Sequence, residues 1–329
     1  MKRQRKYTGF YVVGAVILIG VIYVSYRMGL RPADPTGPSK TFVVGSGQDA
    51  QAIASNLKSQ GLIRDRNAFI TFVNIHGLRP ELKAGDYLVS PADSAEEIAD
   101  EIADGRTLSK NLLIPEGYRL TQIETTAAAL GINKAAFEAA LAGPHGQSFL
   151  STKPADVSLE GYLFPDSYQI APTTTATELV NDMLDDFGRR VGQNYVKAFA
   201  AEGLTLHQGL TIASIVESEI SNTADRPIVA QIFLTRLKLG MPLGSDQTAQ
   251  YASDLLGVPF STTINSSYNT LIVKGLPPGP ICSPGLNSLD AVAHPANTGY
   301  LYFLTGKDGK TYYATTYAQH EENIAKYLD

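Results

Sequence analysis

Between Tyr7 and Tyr26 the chain carries no charged residue, and Phe10, Val12, Val13, Val16, Ile17, Leu18, Ile19, Val21, Ile22 and Val24 make the stretch predominantly apolar. Helix of that length rises about 30 Å, the thickness of a bilayer's hydrocarbon core, so this segment constrains where everything after it can fold. Lys2, Arg3, Arg5 and Lys6 precede it, and Tyr7, Tyr11, Tyr23 and Tyr26 lie near its ends, where aromatic rings favour membrane interfaces. The reading is a cytoplasmic basic tail (1–6), one transmembrane helix (7–28) in the cytoplasmic (inner) membrane, and a body outside it, extracytoplasmic or periplasmic. A cleaved signal peptide is the competing reading. It would have a shorter apolar core, and Val24-Ser25-Tyr26-Arg27-Met28 offers no good small-x-small cleavage site. In the following segment, 29–40, the run RPADPTGPSK holds three prolines and a glycine and predicts a stiff, extended stalk.

The 329 residues are 44% hydrophobic, enough for more than one core. Lys and Arg total 27 against 32 for Asp and Glu; without the four basic tail residues the balance is 23 − 32 = −9. An acidic body excludes a phosphate-tracking nucleic-acid binder, which needs clustered Lys and Arg. The single cysteine, Cys282, rules out an internal disulfide framework, and the five histidines show no metal-ligand spacing. No metal and no cofactor is expected.

Residues 41–130 repeat one pattern: an apolar strand-like segment, a polar loop, an amphipathic helix, then glycine. Val44 precedes Ile53, Val89 precedes Ile98 and Ile114 precedes Ile123 by the same interval. This predicts two or three small β/α units, for which a spacer role and a glycan-binding role are equally good readings. From 131 to 329 the pattern changes to longer helices, including Lys134 to Ala142 and Ala176 to Phe199, with strand-like segments at Tyr300 to Leu304 and Thr311 to Ala314. The fold class is therefore α+β, with a membrane helix, a small β/α subdomain and a mixed α+β domain.

Thr205-Leu206-His207-Gln208 fits a capping box, after which a helix can run through LHQGLTIASIVESEI. At about 100° per residue from Leu206, Leu210 falls near 40°, Ala213 near 340° and Glu217 near 20°, inside the apolar stripe, whereas Glu219 falls near 220°. A carboxyl among apolar groups holds its proton more tightly, which suits a general acid. The alternative is a buried ion pair, for which Arg226 or Arg236 could serve. The next helix, from about Pro227 to Leu239, should stop at Gly240 and serve packing. The loops beyond it mix hydroxyl, amide and aromatic side chains, as a sugar cleft needs and as ordinary turns also contain.

Taken together, EGYLFPDSY (160–168), ASIVESE (213–219), RLKLGMPLGSDQT (236–248), YNT (268–270), GLPPGPI (275–281), SPG (283–285) and AHPA followed by YLYF resemble the endolytic murein transglycosylase (YceG-like) family over nearly the whole chain. The resemblance implies a LysM-like subdomain at 41–130 and a catalytic domain at 131–329. It implies a membrane-anchored enzyme that cleaves peptidoglycan glycan strands in new, uncrosslinked material, with partners among cell-wall synthesis proteins. Its catalytic glutamate falls on Glu217, and Asp246, Gln247, Thr248, Tyr268 and Asn269 fall on motif positions that line the glycan cleft. Ser218 stands where the family is familiar with a charged residue.

A lytic transglycosylase breaks the bond between N-acetylmuramic acid and N-acetylglucosamine without water. One carboxyl protonates the glycosidic oxygen, then removes the proton of the muramic C6 hydroxyl as it closes on C1, leaving a 1,6-anhydro end. The competing readings are a muramidase-type hydrolase, with Asp246 as second carboxylate, and a non-enzymatic cell-wall scaffold. Ser55-Asn56-Leu57-Lys58 fits SxxK, but no KTG follows it, which argues against a penicillin-binding enzyme. Gly45-Ser46-Gly47 lacks the third glycine of a dinucleotide loop.

Overall fold

The computed structural model describes residues 4–328, with side chains from residue 13 onward. Lys2 and Arg3, and the side chains of Arg5, Lys6, Tyr7, Phe10, Tyr11 and Val12, lie outside the described residues. The architecture is mixed α+β and falls into two compact units, one up to Lys110 with Gln169–Thr173, the other Asn111–Tyr168 with Thr174 onward.

In the first unit, helix α1 (Gln4–Leu30) contains a segment, Val13–Leu30, long and apolar enough to cross a membrane. It is a candidate membrane anchor by length and composition. Strands β1 (Lys40–Val44) and β2 (Gly85–Val89) pair antiparallel, with Phe42 opposite Tyr87. Strand alternation turns Phe42, Val44, Tyr87 and Val89 into the core and leaves Val43 and Leu88 exposed. Helices α2 (Ala50–Ser59), α3 (Arg66–Ile75) and α4 (Ala95–Asp104) are started by Asp49, Asp65 and Ser94, each accepting a backbone N–H of the first turn. Ile53 and Ile98, the marked isoleucines of the first two repeats, are fully buried with Leu57, Phe69 and Leu30. Helix α3 interrupts the expected strand-helix alternation; its Asp65 cap was the available signal.

The proline-rich run read as a stiff, extended stalk is bonded to the first unit at several points. Pro32 O accepts from Arg64 Nε, the Asp34 N–H bonds Pro91 O at 2.9 Å, and Ser90 Oγ donates to Gly37 O at 3.3 Å. A Cβ on Gly37 would come 2.4 Å from Pro91. Proline lacks a donor but keeps its carbonyl, so a proline-rich run can be fastened to a neighbouring surface through its acceptors.

The third repeat supplies β3 (Lys110–Leu113), which pairs with β4 (Ser167–Ile170), and α5 (Leu120–Ala129), whose Ile123 is fully buried. The second unit continues with α6 (Lys134–Ala142) and α7 (Ala176–Ala201), which is kinked at Gly192. Then come α8 (Leu206–Glu219), α9 (Arg226–Lys238), α10 (Asp246–Leu256) and α11 (Leu286–Ala293). Helix α11 packs on α7, α8 and α9. A hairpin of β5 (Tyr302–Thr305) and β6 (Thr311–Ala314) packs with α12 (Tyr317–Tyr327).

Candidate active site

Helix α8 is the element on which the site is built. Thr205 and Gln208 form the expected capping box, and residues Leu206 to Val216 are buried with the sole exception of Gln208. Gly209 is required by packing, because a Cβ there would lie 2.5 Å from the Phe199 ring. Ser214 Oγ donates to Thr211 O and accepts the Ile281 N–H at 3.0 Å, which ties the loop 275–281 to the helix. The helix ends at Ile220, whose extended backbone frees its carbonyl for Arg226 Nε at 3.1 Å.

Glu217 is buried as its angular position predicts, with 6% side-chain exposure. Its surroundings are those of the ion-pair alternative. Arg226 binds it bidentately, Nη2 to Oε1 at 2.8 Å and Nη1 to Oε2 at 3.0 Å. Oε2 also accepts the Gly285 N–H at 3.1 Å and the Ser288 hydroxyl at 2.9 Å. Four donors occupy this carboxylate, and such a fork is a positional tie between α8, α9 and α11. Three of the four donors fall on Oε2, and Oε1 accepts only from Arg226.

Glu219 has fewer donors and no bidentate arginine. It is partly buried; Ser245 Oγ donates to Oε1, and the Gln247 N–H also reaches the carboxyl. Burial pushes the Glu219 carboxyl above the usual range and the Asp246 charge adds to this, while the two hydrogen bonds and Arg236 oppose it. Arg236, the other candidate partner of Glu217, instead donates through Nε to Leu301 O at 2.8 Å. A cleft of ≈510 Å³ is lined by residues that include Gly117, Arg119, Gln122, Ser218, Gln247 and Asp254; Gln247 bonds Glu219, and a Cβ on Gly117 would lie 3.8 Å from Glu217 Cγ, so the cleft adjoins both glutamates. A larger cavity of ≈660 Å³, lined by Leu120, Glu138, Leu141, Lys153 and their neighbours, includes none of the α8 residues.

The other residues picked out from the sequence divide into two groups. Asp246 is exposed at the start of α10, Gln247 lines the cleft, and the half-buried Tyr268 ring lies 4.9 Å from Tyr251. Thr248 and Asn269 are fully buried and turn inward instead of lining a cleft. Thr248 Oγ1 donates to Ser245 O at 2.7 Å and accepts the Thr270 N–H at 3.1 Å; Asn269 Nδ2 donates to Thr262 O and Ile264 O, both at 2.9 Å. Thr248 thereby holds Ser245, which bonds Glu219, and Asn269 holds the loop 262–264.

Sequence reasoning singled out neither Glu116 nor Glu160. Burial and the Glu217 charge push the Glu116 carboxyl up, with Arg226 opposing; a Cβ on Gly285 would fall 1.9 Å from that carboxyl. The PEGY and SPG segments are zipped together, Gly117 N–H to Ser283 O and Ser283 N–H to Tyr118 O, each at 2.8 Å. Glu160 is 4% exposed and accepts the Leu120 N–H at 3.0 Å and the Tyr251 hydroxyl at 3.2 Å. Arg119 pairs with Asp254 and sits 5.2 Å over the Tyr251 ring. Glu160 thus joins the segment carrying Arg119 to the helix carrying Asp254, the two sides of the cleft.

The YceG-like family profile matches residues 42–326. The chain belongs to the YceG-like family. It is 31% identical to a Bacillus subtilis protein named endolytic murein transglycosylase, over 95% of this chain and 91% of that protein. A Streptococcus pneumoniae protein (strain D39) of the same name is also 31% identical, over 97% of this chain; the chain spans 65% of that relative's length. The crystal structure of a YceG-like protein from Listeria monocytogenes is similar at a TM-score of 0.58 and 29% identity, covering 87% of this chain and 99% of the other.

In this family member, burial carries the Glu160 carboxyl to about 7 against the roles of Leu120, Tyr251 and Arg119. The ordinary value is near 4.5, so between about 4.5 and 7 the folded chain holds a proton that the unfolded chain has released. Glu160's contribution to stability therefore falls as pH rises through this window. The unfolding free energy of the parent minus that of Glu160→Gln should drop by about 3 kcal/mol across it and then level off. Urea titrations at several pH values measure this; a difference independent of pH contradicts it.

Proposed function

We propose that this chain is a lytic transglycosylase that cuts peptidoglycan glycan strands internally and without water, leaving 1,6-anhydro ends. The names of its relatives support the substrate and the reaction class. The observation that carries the assignment of the acid is the contrast on α8: burial pushes the Glu219 carboxyl up, and Ser218 and Gln247 next to it line the cleft, whereas Glu217 accepts from four donors. We therefore assign the proton donor to Glu219 in place of Glu217.

Protonated Glu219 donates to the glycosidic oxygen as positive charge develops at C1. The carboxylate left behind is stabilised by the Ser245 hydroxyl and the Gln247 N–H. It then removes the proton of the muramic C6 hydroxyl, whose oxygen bonds to C1, and the acid is restored. Because the nucleophile belongs to the substrate, one protein carboxyl suffices. In this reading Asp246 tunes Glu219 by its charge, and Gln247 and Tyr268 flank the sugar.

The same reading takes α1 as an anchor in the cytoplasmic membrane with the amino terminus in the cytoplasm, and residues 41–130 as LysM-like, binding glycan or setting height. Cell-wall synthesis proteins are the expected partners. The test is end-group mass spectrometry of uncrosslinked glycan strands digested by the full chain in detergent. Internal cuts with anhydro ends are expected. Reducing ends would make the chain a hydrolase and turn attention to Asp246; binding without cleavage would make it a scaffold.

A further inference from the structure

Among the described residues, nothing fills a mainly apolar crevice in the first unit. Helix α3 runs alongside the end of α1: a Cβ on Gly29 would lie 2.7 Å from Ala68 and 3.0 Å from Asp65. Beyond that contact the two helices leave an opening of ≈600 Å³, with Ile19, Ile22 and Tyr23 of α1 and Thr71 and Ile75 of α3 among its walls, and with Asp65 and Asn67 on the polar side. Ile75 ends α3 with 68% exposure, and Ile19 and Ile22 are 66% and 60% exposed. From Ala68 to Ile75 the helix covers about 10 Å, and from Gly29 back to Ile22 the same, so Ile75 stands level with Ile22.

That level can be compared with a bilayer. Lys2, Arg3, Arg5 and Lys6 set the lower edge of the apolar span, because charged groups do not enter the hydrocarbon. Counting about 20 helical residues from Tyr7 puts the outer edge near Tyr26. Ile19 and Ile22 fall inside that edge, and Ile75 falls with them. An exposed isoleucine at that depth, facing an open apolar crevice, has the chemistry of a lipid contact.

We infer that the carboxyl-terminal end of α3, through Thr71 and Ile75, dips into the outer face of the bilayer, and that a lipid acyl chain fills the crevice between α3 and α1. The inference rests on the membrane reading of α1. It makes the first unit a second membrane contact, seated on the bilayer rather than held off it by a stalk, which agrees with the fastening of residues 31–40 to the unit's own surface.

The test uses the full chain in nanodiscs of phosphatidylethanolamine and phosphatidylglycerol, with an environment-sensitive fluorophore on Ile75→Cys, Thr71→Cys or Val16→Cys. Cys282 is buried, so it does not compete for label. Lipids brominated near the carbonyl end of the acyl chain should quench the Ile75 and Thr71 probes at least twofold, and lipids brominated at mid-chain should quench the Val16 probe. A quenched Val16 probe with unquenched Ile75 and Thr71 probes overturns the α3 contact and leaves the anchor standing. No quenching at any position removes the anchor itself, and the contact with it.

Discussion

Glu219→Gln is expected to lower the rate of glycan cleavage by about 10²–10⁴-fold, the usual contribution of a positioned acid–base group, while leaving the fold intact. The amide keeps an oxygen for the Ser245 hydroxyl, so the covering loop 244–248 retains that attachment. It cannot supply a proton or take one. Burial already disfavours the charged form of Glu219, so a neutral replacement should unfold at the same denaturant concentration as the parent or a higher one. Initial rates with defined glycan strands and a urea titration of the same preparation measure both halves. Loss of activity accompanied by loss of fold would withdraw Glu219 from the chemistry.

Glu217→Gln should give the opposite pattern. Arg226 is 5% exposed, and its partner is the Glu217 carboxylate. Removing one charge of a buried pair leaves the other uncompensated, at a cost of about 3–5 kcal/mol, whereas removing both together costs much less. The single variant should therefore unfold at markedly lower urea, and Glu217→Leu combined with Arg226→Met should recover most of the loss. If Glu217→Gln is as stable as the parent, the bidentate tie is not what holds α8, α9 and α11 together.

Several parts of this arrangement could be read from the residues alone because they are local. The Thr205–Gln208 capping box, the helix Lys134–Ala142, the end of α9 near Gly240 and the β5–β6 hairpin each depend on neighbours a few positions away. The burial of Glu217 followed from helical periodicity in the same way. Its partner did not, since Arg226 reaches it only because the chain breaks at Ile220 and restarts as α9. Glu219 falls off the apolar stripe, near 220°; it is covered by Ser245 and Gln247, contributed by a distant loop that periodicity cannot see. Thr248 and Asn269 have the side chains of a sugar cleft, but loop-to-loop bonds use those groups internally. The proline-rich run 31–40 has the composition of a stalk, yet its carbonyls and Asp34 N–H are engaged by Arg64, Ser90 and Pro91.

The most direct test of the two-glutamate account is the rate of anhydro-end formation per folded molecule for Glu219→Gln and Glu217→Gln, measured at low temperature where both remain folded. The account predicts at least a 100-fold loss for Glu219→Gln and, once the folded fraction is counted, less than about tenfold for Glu217→Gln. A silent but folded Glu217→Gln beside an active Glu219→Gln would contradict it and return the proton to Glu217.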